Sequence, residues 1–423
     1  MHHVIIGAGP AGVIAAETLR KLNAEFRITV IGDEPEPPYS RMALPYLLMK
    51  RIDEAGTYLR KHEDHYRNQR IDLMVDRVNA VDTAARSVKL AGGGTLNYDK
   101  LLIATGSRPM SPPIPGVDQH GIFPCWTLEH AREIARAASP GTKVVLMGAG
   151  FIGCIILEAL AERGVDLTVV EMADRMVPRM MDETAGTMIK TWCEQKGVAV
   201  HTSTKVTAID KGNGKSRFNV VLADGATLPA DLIISATGVR SNIEFLKGSG
   251  IKTDQGILAN QQLQTNDPNV YAAGDVAQGL DFSTGEYTVQ AIQPTAADHG
   301  QLAARNMAGL RGAVYRGSVN MNVLDTMGLI SASFGLWMGV DGGERAELCD
   351  RNRYRYLNLQ FQDDVLVGAT SLGLTNHVGV LRGLIQTKTR LHGWKEKLLH
   401  DPTRIMEAYL ANTQAVGFNA GLL

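Results

Sequence analysis

The apolar residues of this chain fall into short runs bounded by glycine, and one arrangement of runs occurs twice. HVIIGAGPAGVIAAETLRKL at residues 3–22 is matched by VVLMGAGFIGCIILEALAERG at 144–164. Each reads as an apolar strand, a G-A-G-x-x-G turn and an amphipathic helix. A second apolar strand follows each helix, RITVIG at 27–32 and DLTVVE at 166–171. The echo continues in hairpin patterns. SVKLAGGGTLNYDKLLIATGSRP turns through Gly92 to Gly94, FNVVLADGATLPADLIISATGVRS turns at Asp224-Gly225, and both end in a strand leading to Ala-Thr-Gly. The pattern predicts two βαβ-plus-hairpin modules.

Other segments occur once. NVYAAGDVAQG at 269–279 predicts a strand running into Gly274-Asp275, and QPTAADHGQLAARNMAGL at 293–310 predicts a helix with Gly309 near its end. Composition changes near residue 318. Beyond it, alternating runs such as YRYLNLQF at 354–361, turning at Asp363-Asp364, predict a β-containing region with helices toward its end. The glycine-rich apolar stretch GLISASFGLWMGV could build the core of a homodimer. PPYSRMALPYLL at 37–48 fits neither the helix nor the strand period, and Pro37, Pro38 and Pro45 argue against a regular element there.

The repeated turn has a physical logic. Gly7 and Gly148 permit a tight turn, Gly9 and Gly150 let backbone amides approach a pyrophosphate, and Gly12 and Gly153 permit close helix–strand packing. The helix N-terminus adds donors and partial positive charge. A carboxylate about 20 residues beyond the glycines accepts from an adenosine ribose. Asp33 or Glu34 fills that place in the first module and Glu171 in the second. Two dinucleotides imply electron transfer between them, and the single Gly274-Asp275 segment can serve only one of the two.

Bulk properties narrow the classes. With 423 residues the chain can form two or three domains. Its 43 basic and 44 acidic side chains leave no field that would gather nucleic acid or an anionic membrane. No signal peptide is read at the start, and no apolar run reaches the roughly 20 residues of a membrane span, so a cytoplasmic location is expected. Cys125, Cys154, Cys193 and Cys349 are widely spaced and include no CxxC pair, which argues against a disulfide framework and against zinc or iron–sulfur ligation. They are expected to be reduced and mostly buried.

GAGPAG at 7–12, LLIATGSRP at 101–109, GAGFIG at 148–153, LIISATG at 232–238 and VYAAGD at 270–275 together resemble the FAD-dependent pyridine nucleotide-disulfide oxidoreductase superfamily. The motifs run in the family's order over roughly residues 3–310. Rubredoxin and ferredoxin reductases, the flavoprotein part of nitrite reductases, and NADH oxidase or coenzyme A disulfide reductase relatives are the most similar branches. The resemblance implies an α/β fold of two Rossmann-like, glutathione-reductase-like dinucleotide-binding domains plus a C-terminal α+β interface domain. The FAD-binding domain would comprise 1–111 and 240–318, the NAD-binding domain 112–239, and the interface domain 319–423.

It further implies FAD contacts at Gly7, Gly9, Pro10, Ala11, Gly12, Asp33, Glu34, Arg41, Val78, Ala104, Thr105, Gly106, Arg108, Gly274, Asp275, Thr295 and Ala296. NAD contacts are implied at Gly148, Gly150, Phe151, Ile152, Gly153, Glu171, Thr237 and Gly238. Asp275 would hold the ribityl chain, Arg41 the phosphates or ribityl side, and Phe151 would cover the nicotinamide pocket. PPYSRMALPYLL would pass beside the flavin ring, and disulfide-active relatives carry a cysteine where Met42 stands here. Methionine cannot supply a relay thiolate. A lysine and glutamate that pair near flavin N5 in ferredoxin reductases correspond to Tyr46 and Ile155, so both charges are lost together. Cys154, Trp126 and His299 are read as structural.

The reading is an NADH-dependent flavoprotein reductase that passes a hydride from NADH to FAD and electrons onward to a redox protein such as rubredoxin or ferredoxin, or to a partner subunit. An NADH oxidase using oxygen, quinone or another small acceptor is the enzymatic alternative. A flavin-bound redox sensor or interaction module is the alternative of another class.

Overall fold

A computed structural model describes residues 1–212, 214–310 and 312–419. Two compact units divide the chain: 1–110 with 239–318, and 111–238 with 319–423. Each is therefore built from two separate stretches.

In chain order, the first repeat supplies β1 (His2–Ile6), α1 (Pro10–Leu22), β2 (Arg27–Gly32), β3 (Ile71–Val75) and β4 (Lys100–Ile103). The second supplies β5 (Lys143–Met147), α2 (Phe151–Glu162), β6 (Asp166–Val170), α3 (Glu183–Gln195), β7 (Ala199–His201) and β8 (Leu232–Ser235). Then come β9 (Val270–Ala272), α4 (Gln293–Met307), and the C-terminal strands β10 (Met321–Thr326), β11 (Leu329–Gly335), β12 (Glu344–Asp350), β13 (Arg355–Gln362) and β14 (Val365–Leu372), followed by α5 (Val378–Thr387).

The first unit holds a five-stranded sheet in the order β9-β4-β1-β2-β3. All its pairs are parallel. Buried strands of a parallel sheet read as continuous apolar runs, as VIIGA and TVIG do here. Alternate residues then point to opposite faces. Ile5 and Leu102 pack with Ala15, Ala16 and Leu19 of α1 and with Ala303 and Met307 of α4. Val4, Ile6, Leu101 and Ile103 pack on the other face against Val78, Val81 and Val88. These belong to a three-stranded antiparallel sheet, Val78–Asp82, Ser87–Leu90 and Thr95–Asn97.

The second unit repeats that plan. Its parallel sheet runs β7-β6-β5-β8 and ends on the short strand Ile122–Phe123, which takes the place β9 has in the first unit. Val206, Ile209, Phe218, Val220 and Leu222 of an antiparallel three-stranded sheet cover one face. The unit also contains an antiparallel sheet, β10-β11-β14-β13-β12, whose β13–β14 hairpin turns at Asp363, φ +54°. Leu329–Gly335 of GLISASFGLWMGV form β11, an inner strand with β10 and β14 on its two sides. Ala332, Ser333 and Phe334 are accordingly buried within this chain's own sheet.

The stretch 37–48 departs from expectation. Arg41–Ala43 is a 3₁₀ turn and Leu44–Leu48 a short α-helix with Pro45 at its start. Proline at a first helical position removes only a donor that has no helical acceptor, so it opens a helix there rather than preventing one. Among the described residues no helix is long and apolar enough to cross a membrane.

Candidate nucleotide sites

The two glycine turns are built alike. Gly7 N–H donates to Ile31 O at 2.7 Å and Gly148 N–H to Val170 O at 2.8 Å. Gly7 (φ +114°) and Gly148 (φ +97°) lie in the left-handed region, and a Cβ would sit 2.1 Å from Ala104 O and 2.5 Å from Ala236 O respectively. At Gly12 a Cβ would meet Gly7 O at 1.9 Å, and at Gly153 it would meet Gly148 O at 2.1 Å. The first and third glycines are thus required by the protein itself. Gly9 and Gly150 differ: a Cβ there meets nothing within 4 Å. An open middle glycine directly before a helix N-terminus fits a dinucleotide pyrophosphate that needs unobstructed backbone.

Around the first turn, the structure brings together several of the implied residues and engages others elsewhere. At Gly274 (φ +73°) a Cβ would sit 3.3 Å from the Ala11 Cβ and 3.5 Å from the Ala296 Cβ. The half-buried Asp275 carboxylate accepts from Ser107 Oγ at 3.1 Å, and its carbonyl accepts from Ser241 Oγ at 2.8 Å. Burial pushes the Asp275 carboxyl up, while Ser107 and Arg41 oppose the rise. Glu34 accepts from Tyr39 OH at 2.5 Å and from Arg41 Nη2 at 2.7 Å, so Arg41 ties 37–48 to the end of β2. Asp33 faces outward to Arg77 at 2.9 Å. Ser40 Oγ donates to Gln293 Oε1 at 2.6 Å, anchoring the same segment to α4.

Thr105 Oγ1 donates to Asn242 O at 3.0 Å, and Asn242 Nδ2 donates back to Thr105 O at 2.8 Å. Arg108 Nη1 donates to Asn242 Oδ1 at 2.8 Å, and the guanidinium pairs with Glu244. Arg108 holds the Glu244 carboxyl down to about 2. Arg108 therefore braces the floor of the site. Val78 is buried with Val4 and Ile6 behind the sheet. Thr295 Oγ1 donates to Ser318 Oγ at 2.9 Å. Leu44 and Leu48 are buried, whereas Met42 and Tyr46 stand 44% and 49% exposed.

At the second turn, Glu171 is clamped by backbone. One carboxylate oxygen accepts from Ala149 N–H at 2.6 Å and the other from Ala173 N–H at 2.8 Å. Phe151 and Ile152 open α2 and are half-buried, while Thr237 and Gly238 are exposed after β8. Cys154 is buried on α2, its thiol pushed well up by burial, with Sγ 3.4 Å from Ala149 O. Cys125 and Cys193 are buried as well, each thiol pushed up to about 12, and Cys349 is exposed. All four are free.

Ser107, Ser241, Tyr39 and Asn242 escaped the sequence reading. Ser107 directly follows Ala104-Thr105-Gly106, which is a local signal. Ser241 and Asn242 act on residues far along the chain, Asp275 and Thr105, and Tyr39 reaches Glu34 only five residues away but outside any motif.

Two nucleotide-type turns, each on a parallel sheet backed by an antiparallel one, define a two-dinucleotide oxidoreductase. Residues 1–300 match the model of the pyridine nucleotide-disulphide oxidoreductase family, and the chain belongs to it. It is 36% identical over 326 residues to an NADH oxidase of Methanocaldococcus jannaschii, covering 74% of this chain and 72% of the relative. It is 31% identical over 413 residues to the epsilon subunit of an NADH-dependent phenylglyoxylate dehydrogenase of Aromatoleum evansii, covering 97% of each. A ferredoxin reductase structure from Rhodopseudomonas palustris superposes with a TM-score of 0.81 at 28% identity, covering 88% of this chain and 91% of that one. The chain is a flavin-dependent pyridine nucleotide oxidoreductase, with FAD and NADH as cofactors.

Proposed function

We propose that the first unit holds FAD, that residues 112–239 hold NADH, and that the enzyme delivers electrons to a redox protein or partner subunit. The observation that supports this most is the pair of matching turns with open middle glycines, only one of which has Asp275 beside it. Bound FAD supplies acceptance of a hydride from NADH and onward release of its two electrons.

The protein's contribution is positioning. Gly9 and the amides opening α1 meet the pyrophosphate, and Asp275, half-buried and fixed by Ser107 and Ser241, orients the ribityl hydroxyls. Ala104 to Gly106 form the floor, braced through Asn242. Gly150 and the start of α2 receive the NADH pyrophosphate, Glu171 takes the adenosine ribose, and Phe151 covers the nicotinamide pocket. Met42 and Tyr46 line the flavin side without a thiol, so no protein disulfide stands between flavin and acceptor. The near-complete overlap with a dehydrogenase subunit favours a protein acceptor. The four free cysteines agree with a reducing, cytoplasmic setting.

Oxygen or another small acceptor is the second reading, favoured by the likeness to the archaeal NADH oxidase. Anaerobic NADH oxidation against carrier proteins, quinones and disulfides separates the two. Turnover with a carrier protein alongside slow oxygen use is expected, and rapid oxygen use with no carrier turnover would overturn the first reading. In an anaerobic titration, full flavin reduction is expected at about one NADH per FAD, because each carries two electrons. A requirement for two equivalents would place a thiol in the relay.

A further inference from the structure

His299 lies on α4, 2% exposed, one residue before Gly300, where a Cβ would meet Ala11 O at 2.3 Å. Its Nδ1 accepts from Gly274 N–H at 3.3 Å. That nitrogen must be unprotonated to accept, which puts the proton of a neutral ring on Nε2. Nε2 is buried and makes no hydrogen bond. Tyr315 fixes the ring plane by an edge contact, centroids 4.5 Å apart at 87°, and is itself held by its OH donating to Ser318 Oγ at 2.8 Å. A side chain needed only to fill space would be better apolar, since a buried unpaired ring nitrogen is costly. The one hydrogen bond the ring makes is from a backbone amide, Gly274 N–H.

That amide belongs to the turn carrying Asp275, and three side chains hold this turn: Ser107 at the carboxylate, Ser241 at the Asp275 carbonyl and His299 at the Gly274 N–H. Glycine at φ +73° is free to rotate its peptide planes, so the conformation must be imposed from outside.

We propose that His299 is a positioning residue for the flavin: its neutral ring sets the Ala273–Gly274 peptide plane and thereby aims Asp275 at the ribityl chain. Burial lowers the ring's proton affinity to about 4, which keeps the acceptor nitrogen free at neutral pH. The inference rests on the assignment of FAD to the first unit.

Three variants test it. H299N offers an amide oxygen near the Nδ1 position, H299Q offers one near Nε2, and H299L offers none. FAD dissociation constants and flavin midpoint potentials are measured on each holoenzyme, with far-UV circular dichroism of the flavin-free form as a fold check. H299N is expected within about threefold of wild type for FAD binding, and H299L and H299Q at least about tenfold weaker with a shifted potential, tenfold being about 1.4 kcal/mol. H299L and H299N behaving alike would overturn the proposal, whether both bind normally or both bind poorly. Should the variants not fold, ¹⁵N-histidine spectra of wild-type holoenzyme at neutral pH decide. A neutral ring protonated at Nε2 is expected, and protonation at Nδ1 overturns the proposal. Wild-type protein that takes up no flavin would instead refute the FAD assignment.

Discussion

The phenol of Tyr356 on β13 donates a 2.6 Å hydrogen bond to Oδ2 of Asp182, 174 residues earlier in the chain. The other Asp182 oxygen caps α3 by accepting from Ala185 N–H at 2.9 Å, and Asn358 Nδ2 also reaches Oδ2, at 3.1 Å. Burial and Asp182 push the phenol well above its usual range, so it stays a donor at all working pH values. Together with Trp192 Nε1, which donates to Thr326 O at 3.1 Å, this joins the C-terminal sheet to α3. Tyr356→Phe is expected to destabilise by roughly 1.5–3 kcal/mol, the worth of a hydrogen bond to a charged acceptor. Thermal melts of wild type, Y356F, D182A and the double variant check this, and additive effects of the two single changes would refute the coupling.

The middle glycines separate fold from ligand. Gly9→Ala and Gly150→Ala meet no protein atom within 4 Å, so both variants are expected to melt near wild type without ligand. G9A is expected to lose FAD. G150A is expected to keep FAD and raise the KM for NADH by about tenfold or more, since even about 1.4 kcal/mol of lost binding suffices. G12A, whose Cβ would meet Gly7 O at 1.9 Å, is expected to lower stability before any ligand is added. Flavin content, KM and melting temperature together distinguish the three.

Glu171 is expected to give a preference for NADH over NADPH. A 2′-phosphate would face its carboxylate, and two unit charges about 4 Å apart at an effective dielectric of roughly 20 repel by about 4 kcal/mol. Half of that exceeds a tenfold preference. Glu171→Gln removes the charge and retains an acceptor for one of the two backbone amides. The ratio of kcat/KM for the two cofactors should therefore fall at least about tenfold in E171Q. An unchanged ratio would remove Glu171 from specificity.

His3 supplies a pH dependence. Its ring is wholly buried 4.5 Å from Phe26, neither nitrogen has a partner, and burial lowers it to about 4. The unfolded chain binds a proton near pH 6.5 and the folded chain does not, so this stability is present above about pH 6.5 and is lost as pH falls toward 4. The slope from this group is at most about 1.4 kcal/mol per pH unit. His3→Leu should flatten the fall in melting temperature over that window, leaving the share due to His299, which is lowered in the same direction. An equally steep profile in H3L would place the acid sensitivity elsewhere.

The glycine turns were legible because each glycine is demanded by local sterics, which fixed spacing records. Pairing at long range was less so. The two-residue strand Ile122–Phe123 is too short to show a period, yet it completes a sheet. At 37–48, proline reads equally as a helix breaker and as a helix opener, and only the burial of Leu44 and Leu48 decides. Glu34 could be recognised as an acid at a strand end, but not as the partner of Tyr39 and Arg41. His299 was visible as a histidine on a helix, and nothing in its neighbours along the chain says which atom its ring faces.

The alternation of the two units along the chain has a consequence for synthesis. The parallel sheet of the second unit uses strands between residues 122 and 235, whereas that of the first begins at His2 and is completed only by Val270–Ala272. α1 must also wait for α4, residues 293–307, to cover its apolar side. A ribosome therefore finishes the later nucleotide sheet while the earlier one is still missing an edge strand and a helix. The usual amino-terminal-first order of assembly is inverted: α1 can lie on Ile5 and Leu102 early, but the side of it that α4 covers stays open until the chain has grown past Met307.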